Sequence, residues 1–356
     1  MNEQTINVLI VDDSPIFQKL FTHLLRTDPE LSVIGTANDG AEALKFVAKH
    51  RPDVILMDIQ MPVMNGCEAT RRLMATDPIP VVICSACTQQ DEVDKTFQAM
   101  EAGALAFVSK PAGPGHPEFQ KSLINMIQIL KQMAGVKLTK GRVLGAPVMD
   151  EVVRLMPGLR PMDALPRVVA MGASTGGPVV LQTILKQLPR DLTVPLVVVQ
   201  HIAEGFVHGL AEWLEHSTGL PVHIAEDNVR PLPGHVYLAP DNAHLGVGVG
   251  RLVLSRDEPE NGIRPSVSFL FRSAAQVYGS SAVGVLLTGM GKDGAPELKQ
   301  MRDRGSVTIV QDKESSLIHG MPGEAIRLGG AVHVLPPEKI SALLSQLLVR
   351  REGRRE

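Results

Sequence analysis

Three side chains suited to acyl transfer stand where apolar runs end. Ser174 lies in Gly172-Ala173-Ser174-Thr175-Gly176, a G-x-S-x-G spacing that predicts a tight strand-to-helix turn exposing a hydroxyl. Such turns are also common without chemistry, so the neighbours must decide. His201 follows the run Leu196–Gln200, and Asp293 follows Ala282–Leu287 by way of Thr288-Gly-Met-Gly-Lys292. A serine hydroxyl is a weak nucleophile until a base takes its proton, and an imidazole base needs a carboxylate to fix its tautomer. In Gly289-Met290-Gly291 the chain is open enough for a backbone N–H to face a developing oxyanion. Each partner has a plainer reading. His201 could end a strand by coincidence, and Asp293 could cap a helix starting near Gly294. His244 and His319 are the other candidate bases, in hairpin or loop context. The serine, histidine and aspartate at three strand ends together favour a catalytic triad.

A second group lies in the first third. Asp12, Asp13, Asp58, Ser85 and Lys110 each close an apolar run. Clustered carboxylates repel one another unless a cation joins them, and oxygen ligands without His or Cys favour Mg²⁺. A lysine and a hydroxyl beside them suit a phosphoryl group.

Both groups need frames that bring strand ends together. Ile6–Val11, a run around Ser32–Gly35, Asp53–Met57, Val81–Cys84 and Ala106–Ser109 read as strands. They alternate with helices, the last at about Glu118–Met133, which predicts a parallel sheet covered on both faces. Ligands of such sheets sit beyond the carboxyl ends of the strands. Asn65, in the loop after Asp58, is expected to matter little. Residues 135–166 are rich in Gly and Pro, with one helical patch at Met149–Leu155, and read as a linker. A second alternation starts with a strand at Val168–Met171 and a helix at Pro178–Gln187. It runs to a terminal helix at Pro337–Val349, and a charged tail covers 350–356. Short strands at Val236–Leu238 and Leu252–Leu254 suggest a local antiparallel insertion. Gly246-Val-Gly248-Val-Gly250 reads as a hairpin turn, because no helix and no G-K-[ST] follow.

At 356 residues, about two domains are expected. A net charge of −3 gives no electrostatic case for nucleic acid or acidic membranes. Runs such as Val194–Val199 fall short of a membrane span, and Ile6–Val11 is too short for a signal peptide. The three cysteines make no disulfide framework, Cys84-Ser-Ala-Cys87 reads as packing, and a cytoplasmic location is expected.

Asp12-Asp13, Asp58 with Met61-Pro62 and Gly66, Ser85 and Lys110-Pro111 resemble a response-regulator receiver domain over about residues 5–134. The resemblance implies a flavodoxin-like fold. It also implies phosphoryl transfer to Asp58 from a chemotaxis histidine kinase or a small phosphodonor, and Mg²⁺ held by Asp12, Asp13 and Asp58. Lys110, Ser85 and Phe107 would be the switch residues.

Gly172-Ala-Ser-Thr-Gly-Gly-Pro178, Gln200-His201, Tyr237-Leu-Ala-Pro240, Arg264-Pro-Ser-Val267 and Leu287-Thr-Gly-Met-Gly-Lys-Asp-Gly-Ala295 are similar to the chemotaxis protein-glutamate methylesterase family, over about residues 167–349. This implies a doubly wound α/β serine esterase that needs no cofactor. It would release methanol from glutamate methyl esters of methyl-accepting chemotaxis receptors and deamidate certain glutamines. Ser174 would be the nucleophile, His201 the base and Asp293 its orienting acid, with backbone help to the oxyanion at Thr175 and Met290. The chain order Ser…His…Asp differs from the Ser…Asp…His of α/β-hydrolases, so the G-x-S-x-G turn does not signal that fold. Departures at Ile202-Ala203, Ile263, Ser268 and Asp241-Asn242 border the expected substrate groove. A receiver ahead of an esterase implies a gate opened by phosphorylation. The alternative is a receiver-gated serine hydrolase of the same fold acting on a different protein ester or amide. A DNA-binding output would need a basic helix-turn-helix unit, for which the second half has no pattern.

Overall fold

The computed structural model describes residues 5–85, 90–111, 113, 115–116, 119–136, 138 and 165–348. The chain forms two compact units, Met1–Val143 and Leu144–Glu356. The expected helical patch at Met149–Leu155, most of the linker, Cys87 and the 350–356 tail lie outside the described residues.

The first unit holds β1 (Ile6–Val11), α1 (Pro15–Leu25), β2 (Leu31–Ala37), α2 (Gly40–Val47), β3 (Val54–Asp58), α3 (Gly66–Thr76), β4 (Val81–Ser85), α4 (Gln90–Glu101), β5 (Ala106–Ser109) and α5 (Phe119–Ala134). Its five strands pair in parallel in the order β2-β1-β3-β4-β5. The β3 and β4 strands are buried along their whole length, as near-continuous apolar runs covered on both faces must be. Strand order reverses at β1 and β3, so the crevice outside the sheet opens where Asp12 and Asp58 end their strands. Asn65 does more than expected of a loop residue: its side chain caps α3, accepting from the Glu68 N–H at 2.9 Å.

The second unit holds β6 (Val168–Ala173), α6 (Gly177–Lys186), β7 (Leu196–Gln200), α7 (Val207–Thr218), β8 (Val222–Ile224), β9 (Val236–Leu238), β10 (His244–Gly248), β11 (Arg251–Ser255), α8 (Val267–Val277), β12 (Ala282–Leu286), α9 (Ala295–Asp303), β13 (Val307–Gln311), α10 (Gly320–Arg327), β14 (His333–Leu335) and α11 (Pro337–Leu348). A seven-stranded sheet in the order β14-β13-β12-β6-β7-β9-β8 is parallel throughout.

The small antiparallel insertion exists and contains the expected strand at Leu252–Leu254, within β11, but its partner is not Val236–Leu238. It is the pair β10–β11, with His244 opposite Ser255 and Gly248 opposite Arg251. Val236–Leu238 belongs to the main sheet, where it pairs in parallel with β7 and β8. Three residues are too few to carry a period that separates the two cases. Gly246 and Gly248 lie within β10, and the hairpin turns at Gly250, whose φ is 68°. Short β8 and β14 and helix α10 had no counterpart in the sequence reading. Strand order in this sheet runs outward in both directions from β6 and β12, and that switch point positions the second candidate site. Among the described residues no helix is long and apolar enough to cross a membrane.

Candidate functional site

In the second unit β6 is buried along its length and delivers Ser174 to the sheet's carboxyl edge. Gly176 turns the chain at a φ of 78°, a left-handed angle that side chains disfavour, and α6 starts one residue later with Pro178 in its first turn. The Ser174 N–H donates to Thr288 O at 3.0 Å, and Ser174 O accepts from Gly177 N at 2.8 Å. Gln200, buried at the end of β7, donates Nε2 to both Ser174 O and His201 O at 2.8 Å. The Ser174 turn and the His201 loop are thereby tied to one amide group. Thr288 closes the other side: its Oγ1 donates to Thr175 O at 3.0 Å, and its N–H is held by Gln311 Oε1 at 2.8 Å. A Cβ on Gly289 would meet Ser174 Cβ at 2.7 Å and Met321 Sδ at 2.4 Å, so only glycine lets β12's loop approach the serine this closely.

His201 registers its backbone on Ala173 O at 2.9 Å, and its Nε2 lies 2.9 Å from Asp293 Oδ2. Nδ1 is the ring nitrogen not turned to Asp293. Among the described residues no hydrogen bond joins Ser174 Oγ to His201, which sit at neighbouring strand ends. The Thr175 N–H is not engaged by a described residue, and it stands at the amino end of α6. Met290 is 44% exposed beside Gly289, whose own N–H is taken by Ile318 O.

Asp293 is 4% exposed. It does not cap α9, whose N-cap is Gly294 with no side-chain bond. It binds the amino end of α8 instead. Oδ2 accepts from Val267 N at 2.6 Å, while Oδ1 accepts from Ser268 N at 3.0 Å and Ser266 Oγ at 2.8 Å. A helix amino terminus carries partial positive charge and suits a carboxylate. Burial alone would raise the Asp293 carboxyl, but His201, Val267 N and Ser268 outweigh it and hold the group well below the usual carboxylate range. Ser268 also links onward, donating to Glu297 Oε2 at 2.6 Å and accepting from Gly294 N at 2.9 Å. Sequence reading gave no role to Ser266, Gln200, Thr288 and Gln311. They stand in the motifs that carry the family resemblance, but a motif names no hydrogen-bond partner.

In the first unit Asp12, Asp13 and Asp58 can offer oxygens that all lie within 4.8 Å of one another. Asp12 and Asp58 are buried, and Asp13 is exposed. Lys110 Nζ donates to Asp58 Oδ2 at 2.7 Å, sits 2.9 Å from Asp12 Oδ2 and lies 4.6 Å over the Phe17 ring. Asp12 Oδ2 is buried, and its close cationic neighbour is this Lys110 ammonium, which it shares with Asp58. A buried carboxylate that shares one lysine with Asp58 and faces two more acidic oxygens within 4.8 Å fits a hard divalent cation. Burial pushes the Asp58 carboxyl up; Lys110 pulls it only partly back, and the Asp12 charge adds to the rise. Ser85 is buried at the end of β4 beside this group. Phe107 is half-buried on β5, edge-on to Phe97 at 5.8 Å. Cys84 is fully buried and its thiol is pushed up by that burial, in keeping with a packing role.

Both units match known families. Residues 169–344 match the CheB methylesterase family and residues 8–118 the response regulator receiver domain family. A protein-glutamate methylesterase/protein-glutamine glutaminase of Nitrosospira multiformis is 50% identical over 349 residues, covering 97% of this chain and 98% of its own. One of Geobacter metallireducens is 50% identical over 350 residues, covering 97% and 100%. The crystal structure of the Thermotoga maritima CheB methylesterase catalytic domain is 39% identical, with a TM-score of 0.50, over 52% of this chain and all of that one. The chain belongs to the protein-glutamate methylesterase/protein-glutamine glutaminase family, a CheB-type catalytic domain preceded by a response-regulator receiver.

Proposed function

We propose that the chain is a phosphorylation-activated serine esterase that hydrolyses glutamate methyl esters on methyl-accepting chemotaxis receptors, and deamidates specific receptor glutamines, in the cytoplasm. The observation that carries this reading is the His201–Asp293 contact beside the Ser174 turn, at the switch point of a parallel sheet. His201 Nδ1 takes the Ser174 proton as Oγ attacks the ester carbonyl, while Asp293 holds Nε2–H and steadies the imidazolium. The tetrahedral oxyanion faces the N–H groups of Thr175 and Met290. His201 then passes its proton to the leaving oxygen, and methanol departs from a Ser174 acyl-enzyme. Water, deprotonated by the same imidazole, releases the glutamate and restores the serine. For glutamine the leaving group is ammonia, and the other steps are unchanged.

In the receiver, Asp58 accepts a phosphoryl group from a chemotaxis histidine kinase. Asp12, Asp13 and Asp58 hold Mg²⁺, which when bound neutralises the charge of the carboxylates and the incoming phosphoryl oxygens. Lys110 pairs with the phosphorylated side chain, and Ser85 and Phe107 shift toward it as the switch. Three carboxylates whose oxygens lie within 4.8 Å of one another, two of them paired with Lys110, support this reading.

The test is methanol release from methylated chemoreceptor membranes, with and without acetyl phosphate, by wild type, Ser174→Ala and Asp58→Asn. Release that requires Ser174, and that accelerates with phosphodonor only when Asp58 is present, is expected. Failure of a folded wild-type enzyme on every methylated receptor tried would transfer the site to a different protein ester or amide.

A further inference from the structure

His244 opens β10, outside the main sheet, and is fully buried. Its ring stacks on Phe269 with centroids 5.0 Å apart and planes at 15°. A buried imidazole has one N–H and one lone pair to satisfy, and both ring nitrogens are engaged. Nε2 lies 3.2 Å from Glu258 O, and Nδ1 lies 3.2 Å from Ser266 N. A carbonyl only accepts and an N–H only donates, so one tautomer satisfies both, with the proton on Nε2 and the lone pair on Nδ1.

Ser266 is the residue that this lone pair holds. It is fully buried, and its hydroxyl donates to Asp293 Oδ1 at 2.8 Å while accepting from Phe269 N at 3.4 Å. The other two α8 donors to Asp293, Val267 N and Ser268 N, are the next two residues. Their aim therefore depends on the backbone at Ser266. That backbone has extended angles (φ −115°, ψ 135°), so its N–H points away from the helix and needs an outside acceptor.

We propose that His244 is a positioning residue for Asp293. Through Nδ1 it fixes Ser266 and the amino end of α8 on the carboxylate, and so sets the direction in which Asp293 holds the His201 ring. The inference rests on the reading of Asp293 as the acid that orients His201, and it adds a second histidine that never meets substrate. A continuous path runs Glu258 O, His244, Ser266, Asp293, His201, and it joins the antiparallel insertion to the catalytic edge of the main sheet.

Two substitutions of similar size separate the two nitrogens. The amide of asparagine reaches the place of Nδ1, and that of glutamine the place of Nε2. In the full-length enzyme, H244N should stay within about threefold of wild type in kcat for methanol release and in fluorophosphonate labelling of Ser174. H244Q leaves the Ser266 N–H unmet, and should lose about tenfold in both, the range expected for a buried donor without a partner, with KM within about twofold. In a D293A background H244Q should cost nothing further, because its effect passes through Asp293. Equal losses in H244N and H244Q, wild-type rates in H244Q, or a loss that multiplies with D293A would each overturn the proposal. The Asp293 reading has its own control: if D293A is as fast as wild type, that reading falls, whereas a slow D293A beside a fast H244Q removes only His244. A readout that needs no variant is the ¹⁵N tautomer pattern of His244 in the wild-type protein. A proton on Nε2 is expected, and one on Nδ1 would overturn the proposal.

Discussion

At the scale of single residues, Asp293 concentrates most of the site's electrostatics. It collects one imidazole, one hydroxyl and two helix N–H groups, and leaves no carboxylate lone pair facing an apolar wall. Asp293→Asn keeps the shape but must turn an amide NH₂ toward donors. Esterase turnover should then fall by roughly 10⁴-fold, the scale seen when a triad carboxylate becomes an amide. The stability consequence has a definite sign. The folded state holds Asp293 ionised below the usual carboxylate range, so it binds fewer protons there than the unfolded chain. The stabilisation is present above the ordinary carboxylate value and fades as pH falls toward the lower, folded value. Denaturant melts of wild type and Asp293→Asn at pH 7, 4 and 2.5 should therefore show a gap that is nearly unchanged at pH 4 and narrows at pH 2.5. A gap that widened would refute the ionised assignment.

At the scale of elements, helix ends do much of the placing. Asn65 starts α3 directly after the loop that follows Asp58, and its side chain takes the Glu68 N–H. Asn65→Ala should destabilise the receiver by about 1 kcal/mol, the usual loss for a missing N-cap. Denaturant midpoints followed by a receiver-specific probe measure it, with the slope unchanged. The amino end of α8 is turned inward and spent on Asp293 instead of water. One of the family departures, Asp241-Asn242, meets the loop after His201 in the structure. Asp241 Oδ2 accepts from Gly205 N at 2.9 Å, and Asn242 donates to Glu204 at 2.6 Å. They tie the loop after His201 to the loop after β9, so the change at 241–242 is coupled to the His201 loop rather than scattered along the groove.

At the scale of the whole molecule, two sheets each use a switch point to gather residues from distant parts of the chain. For phosphorylation of Asp58 to raise activity at Ser174, the phosphorylated receiver must oppose the active state less than the unmodified one does. A tenfold activation needs a difference of only about 1.4 kcal/mol. If the receiver restrains the esterase, removing residues 1–134 should raise basal methanol release and abolish the response to acetyl phosphate. A truncated enzyme no faster than the intact one, measured on the same receptor membranes, would show that the unmodified receiver does not restrain the esterase.

What the amino-acid sequence determined by itself was local. Apolar runs such as Val8–Val11 and Val197–Val199 have few alternatives to buried parallel strands, and the polar residues ending them are thereby sent to one edge. That was enough to read the two-sheet architecture and to put Ser174, His201, Asp293 and the Asp12–Asp13–Asp58 group at strand ends. It could not assign Val236–Leu238 to the main sheet, because three residues have no period and only pairing with β7 and β8 decides their place. Nor could it assign Asp293 to α8 over α9, since the nearest helix in sequence is not the one whose free N–H groups the carboxylate meets. Ser266 and His244, 27 and 49 positions before Asp293, enter the site only through tertiary contact. Hydrogen bonds between distant residues depend on angles and burial that no spacing along the chain encodes, and those bonds orient the chemistry.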